Sequence, residues 1–101
     1  GMILQSESSE PMAAPGNLSA NVYPNPNTGD MVNLNMTGIT TGDVFVRIMD
    51  SMGRVVYSGR YTVDGSLNTV VTFAKPLASG LYMVEFTTGE EVMTQRMMVG
   101  K

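Results

Sequence analysis

Cysteine, histidine and tryptophan are all missing from this chain of 101 residues. Without cysteine there is no disulfide, no thiolate nucleophile and no zinc site built on sulfur. Without histidine, His-based acid–base triads and the commonest metal ligand are excluded as well. Charge is scarce: Asp, Glu, Lys and Arg make up 15% of the residues, where roughly a quarter is usual in soluble domains. The six basic residues are outnumbered by nine acidic ones and form no stripe, which argues against nucleic acid as a partner. No stretch approaches the roughly 20 apolar residues of a membrane-spanning helix, and no charged-then-apolar opening resembles a signal peptide. The acids are scattered, so no short segment assembles the oxygen ligands of a calcium loop, although Asp30 and Asp50 could contribute to a shared site. Lys75 and Lys101, the only lysines, stand outside any Ser-x-x-Lys arrangement. These residue types argue against an enzyme and imply neither a cofactor nor a metal.

What is present suits a turn-rich β protein. Apolar residues make up 43%, and Ser, Thr, Asn and Gly fill the polar positions. The length suffices for one domain with one modest core. Residues 1–19 contain SESSEP and AAPGN, spellings too polar or too rich in Pro and Gly for a packed element, and are expected to be a flexible linker. Gly1 before Met2 resembles an expression scar, so the chain is expected to be a fragment whose missing signal peptide says nothing about export. The folded domain is expected over residues 20–101.

Seven extended segments are predicted there. Ala20–Tyr23 is followed by VYPNPNTG (22–29), in which two prolines donate no ladder bonds, Asn25 and Asn27 can bond nearby backbone, and Gly29 can take a positive φ. This is a stiff bend at a sheet edge. Val32, Leu34 and Met36 alternate with polar residues. Val44, Val46 and Ile48 form one face of the next strand, with Phe45, Arg47 and Met49 on the other. DSMG (50–53) turns the chain into VVYSGRYTV, and Asp64-Gly65 starts another turn before Val71 and Phe73. KPLASG (75–80) leads into Tyr82, Val84 and Phe86, and TTGE (87–90) leads into the last strand. A two-residue loop there would place Phe86 opposite Glu91 and Tyr82 opposite Gln95; a three-residue loop would place Phe86 opposite Val92 and Arg96 beside Tyr82. Gln95 is the polar interruption of an otherwise apolar face made by Met93, Met97 and Val99. The pattern predicts a seven-stranded antiparallel immunoglobulin-like β-sandwich, with a small, partly open barrel as the other architecture it fits. The ten methionines fill irregular core space.

Short acceptor matches carry little weight. NLS (17–19) and NMT (35–37) fit the N-glycosylation triplet by composition, and DSM (50–52) resembles a short bacterial O-glycosylation acceptor but is explained as a polar corner.

Four spellings taken together say more. NVYPNPNTG (21–29), VRIMDSMGRVVYSG (46–59), PLASGLYMVEF (76–86) and QRMMVGK (95–101) stand in an order that resembles the C-terminal sorting domain of the type IX (Por) secretion system of Bacteroidetes. The resemblance implies a non-catalytic address carried behind an upstream passenger, with residues 1–19 as the connector. It implies recognition by an outer-membrane translocon and a cell-surface sortase, export through the periplasm to the cell surface or beyond, and cleavage after translocation. Carried onto this chain, Asn25, Pro26 and Gly29 form the opening bend, Asp50, Gly53 and Arg54 the middle turn, and Gly80 and Tyr82 the start of the penultimate strand. Arg96, Met97, Met98, Val99, Gly100 and Lys101 form the ending expected to be recognised, with Arg96 where lysine is more frequent. Deleting residues 98–101 is expected to block export more than folding, unless Val99 is a core anchor. The competing class is a surface adhesion or carbohydrate-binding sandwich, for which Tyr23 is the one plausible aromatic platform.

Overall fold

The computed structural model describes residues 18–89 and 91–100. They form five strands in one antiparallel sheet: β1 (Ser19–Tyr23), β2 (Met31–Asp50), β3 (Val55–Thr72), β4 (Gly80–Thr87) and β5 (Val92–Val99). There is no helix among the described residues.

The spine is β2. Along one edge it pairs with β3 for nearly its whole length, from Val32↔Val71 to Ile48↔Tyr57. Its other edge is shared: β1 takes the first half (Val22↔Leu34) and β4 the second (Ile48↔Val84). β5 continues outward from β4. The sheet folds over so that β5 comes back to β1, giving a nearly closed barrel.

The expected seven-stranded immunoglobulin-like sandwich is therefore wrong, and the barrel is the architecture formed. The break left between Met36 and Val44 and the turn read at Asp64-Gly65 caused the error. Gly38 (φ 79°) and Gly65 (φ 87°) occupy a backbone region that side chains resist. Here they lie within β2 and β3, where pairing shifts register between Thr37 and Gly42 and then resumes. These are bulges that bend a continuous hairpin, so four expected strands are two long ones.

The alternation itself places the side chains correctly. Val32, Leu34, Met36, Val44, Val46, Ile48, Val84 and Phe86 are fully buried, and Val71, Phe73 and Tyr82 join them. Phe45, on the opposite face, is 47% exposed. Of the methionines, Met36 and Met97 fill the core while Met52 and Met98 are exposed, so packing explains only some of them.

The last hairpin has neither expected register. Phe86 faces Met93, Val84 faces Gln95 and Tyr82 faces Met97. The Thr88 N–H donates to Glu91 O (2.8 Å), and the Glu91 N–H donates to Thr88 Oγ1 (3.0 Å), closing a longer loop. Relative to the two-residue loop the partner moves by two positions. A shift of two preserves which face each side chain occupies, so Met97 and Val99 still point inward.

Candidate functional site

The opening bend closes on the end of the chain. Both X–Pro bonds in it, Tyr23-Pro24 and Asn25-Pro26, are cis, and Pro26 is exposed. Asn25 Nδ2 donates to Arg96 O (2.8 Å), and its Oδ1 accepts the Met98 N–H (2.8 Å). The Asn27 N–H donates to Met98 O, and the Gly100 N–H donates to Asn27 O, each at 2.9 Å. The bend thus lies along the outer edge of β5 as a short parallel bridge, Asn27↔Val99.

Asn27 is itself the buried polar residue of the described region, 5% exposed. Its side chain holds the bend together by accepting the Gly29 N–H (2.8 Å) and donating to Pro24 O (3.2 Å). Gly29 (φ 87°) follows, packed so closely that an added Cβ would lie 2.6 Å from Leu77 O and 3.1 Å from a Val99 methyl. The Asn-x-Gly spelling signals such a local loop, but nothing local says that its partner lies some 70 residues away.

The other two motifs meet at the same end of the barrel, through the connection spanning 73–79. The Phe73 N–H donates to Asp30 O and the Leu77 N–H to Gly29 O, both at 2.9 Å. Tyr82, 6% exposed, donates its hydroxyl to Ala78 O (2.7 Å) and pins that connection from below. Tyr82 pairs across the sheet with Asp50, and Gly80 with Val99. Asp50, Arg54, Leu77 and Tyr82 line one shallow depression there.

The middle turn is a closed hydrogen-bond unit. Asp50 Oδ1 accepts the Met52 and Arg54 N–H groups, and Oδ2 accepts Arg54 Nε, each at 2.9 Å. The Gly53 N–H returns to Asp50 O (2.9 Å). The Arg54 N–H foremost, then its side chain, the Met52 N–H and the Arg54 charge, holds the Asp50 carboxyl below its usual range against partial desolvation. Asp50, Gly53 and Arg54 accordingly shape a turn. Among the described residues no group of three or more His, Cys, Asp or Glu could hold a metal.

β5 divides its residues between two roles. Met97 and Val99 are buried, whereas Arg96 and Met98 project outward and Gly100 follows the strand; Lys101 lies outside the described residues. Met98, 46% exposed, faces Leu81 on β4, and Arg96 faces Met83. Arg47, Arg54 and Arg60 each have a carboxylate, from Glu85 (2.8 Å), Asp50 (2.9 Å) and Asp43 (3.5 Å). Arg96 has no ion pair among the described residues. The outer face of the terminal strand therefore combines an unpaired cation with exposed apolar side chains.

Gln95, the polar interruption of the inner face, spans the barrel seam. Its Nε2 donates to Ala20 O (2.9 Å) on the edge of β1. Tyr23, the expected aromatic platform, is 45% exposed at the end of β1. A family model described as Secretion system C-terminal sorting domain matches residues 21–100. No curated protein matches the chain.

Proposed function

The chain belongs to the family of secretion system C-terminal sorting domains, and on that premise we propose how its terminal strand is read. As a member it is a non-catalytic C-terminal sorting signal of the type IX secretion system, associated with that machinery and directed to export and the cell surface. In our reading, the residues ahead of β1, most of them outside the described residues, connect it to an upstream passenger, and Ser19, placed with them from the sequence, begins β1 instead. The outer-membrane translocon recognises the folded domain at the outward face of β5, and a cell-surface sortase then cleaves in the connector.

The observation that carries this reading is the division of β5. Met97 and Val99 are committed to the core, which leaves Arg96 and Met98, with Val92 and Thr94 farther back along the strand, free to meet a receptor. Arg96 is suited to a carboxylate because its planar fork can bind both oxygens. The two faces also separate recognition from folding. Arg96→Glu and Met98→Asp alter exposed positions, where substitutions usually change stability by no more than about 0.5 kcal/mol.

The test fuses a passenger to the chain in a Bacteroidetes host and follows it by surface and periplasmic fractionation. Each variant chain is also unfolded in urea. Both substitutions are expected to strand the passenger in the periplasm while the urea midpoint holds. Normal surface delivery of both variants would refute recognition through this face.

A further inference from the structure

The outer edge of an outermost strand normally offers unpaired N–H and C=O groups to any incoming strand. From Arg96 O to Gly100 N each outward-facing group on the edge of β5 is already bonded. Arg96 O and Met98 N are taken by the Asn25 carboxamide, and Met98 O and Gly100 N by the Asn27 backbone. A carboxamide carries one donor pair and one acceptor, so it can satisfy the C=O and N–H that a neighbouring strand residue would have bonded. Asn25 is exposed and contributes nothing to the core. Its bonds span 71 and 73 residues of sequence and end on either side of Met97.

We propose that Asn25 is the positioning residue of the terminal strand. Its carboxamide stands in for a neighbouring strand at Arg96 O and Met98 N, closes the edge together with the Asn27 backbone as far as Gly100 N, and so presents Arg96 and Met98 through their side chains. The inference rests on the reading of β5 given above and sharpens it: the receptor is a surface that accepts a guanidinium and a thioether, not an extended strand pairing at this edge. Gln95 fastens the same seam farther along by its bond to Ala20 O. Side-chain amides thus hold the seam where a backbone ladder is absent.

The test uses the whole 101-residue chain and its passenger fusion. Asn25→Ala removes both bonds, whereas Asn25→Asp keeps the acceptor for the Met98 N–H. In Asn25→Ala, exchange of the Met98 amide is expected to accelerate roughly tenfold, the loss of about one hydrogen bond's net contribution. The Gly100 amide, held by Asn27 O, is the internal reference and keeps its rate. The urea midpoint holds, surface delivery falls, and Asn25→Asp restores both Met98 protection and delivery. Unchanged Met98 exchange in Asn25→Ala would overturn the cap. A uniform rise in exchange across β4 and β5 would make Asn25 a general stabiliser and overturn its positioning role. Faster Met98 exchange with full delivery would overturn that role too, while leaving recognition of Arg96 and Met98 standing. Normal delivery of Arg96→Glu and Met98→Asp would remove both.

Discussion

Deleting residues 98–101 should unfold much of the domain before it says anything about recognition. The deletion removes the Val99 side chain, which is 2% exposed, and a fully buried valine contributes about 1.5–3 kcal/mol. It also removes Met98 N, Met98 O and Gly100 N, each bonded to the opening bend, at about 0.5–1.5 kcal/mol apiece. Together the loss is about 3–7 kcal/mol, against a total stability of about 5–15 kcal/mol for a domain. With a urea slope of about 1–3 kcal/mol per molar, the midpoint should fall by about 1 M or more. Urea denaturation of the intact and shortened chains, followed by far-ultraviolet circular dichroism, measures this directly. A fall of less than about 0.5 M would refute the assignment of Val99 as an anchor and of the bend as a support for the strand end. The expectation that truncation harms export more than folding rests on a terminal strand being expendable. The buried Val99 removes that premise, which is why the exposed Arg96 and Met98 are the better probes.

Three other outcomes follow from the same geometry. Gly29→Ala should destabilise the domain by about 2–4 kcal/mol in urea, because it adds a positive-φ penalty to a contact with Leu77 backbone; a loss below about 1 kcal/mol would mean that the bend shifts freely. Burial foremost, and then the hydroxyl contact with Tyr61, pushes the Tyr57 phenol up to about 12 from 10.0. Its neutral form is the one favoured by folding, so that contribution is complete below about pH 10 and is lost as pH rises toward 12. Tyr57→Phe should flatten the alkaline fall of the urea midpoint, and an unchanged slope would exclude Tyr57 as its source. Asp50 has the opposite sign: its contribution is present above about 3.8 and is lost as pH falls through its lower folded-state value. Asp50→Asn should therefore weaken the acid dependence of the midpoint, and an acid limb identical to that of the unaltered chain would assign it to other carboxyls.

What the sequence determined by itself was the face each side chain occupies. Alternation is a local consequence of the strand backbone, so Val44, Val46 and Ile48 had to share a surface wherever β2 lay. Even the misjudged last hairpin kept Met97 and Val99 inward, because the error was two residues. The turn of Asp50, Gly53 and Arg54 was likewise legible, since all its bonds run within five residues. Only the tertiary structure decided strand continuity. A glycine in a local turn and one in a bulge can have the same positive φ, and what distinguishes them is whether the partner strand continues alongside. Tertiary structure also decided the use of VYPNPNTG: the Asn25 carboxamide and the Asn27 backbone are satisfied by Arg96, Met98 and Gly100, groups that come within reach only once the sheet has curled back on itself. Gln95 was visible as an exception to the apolar pattern. Its reason, the free carbonyl of Ala20 across the seam, exists only in the folded barrel.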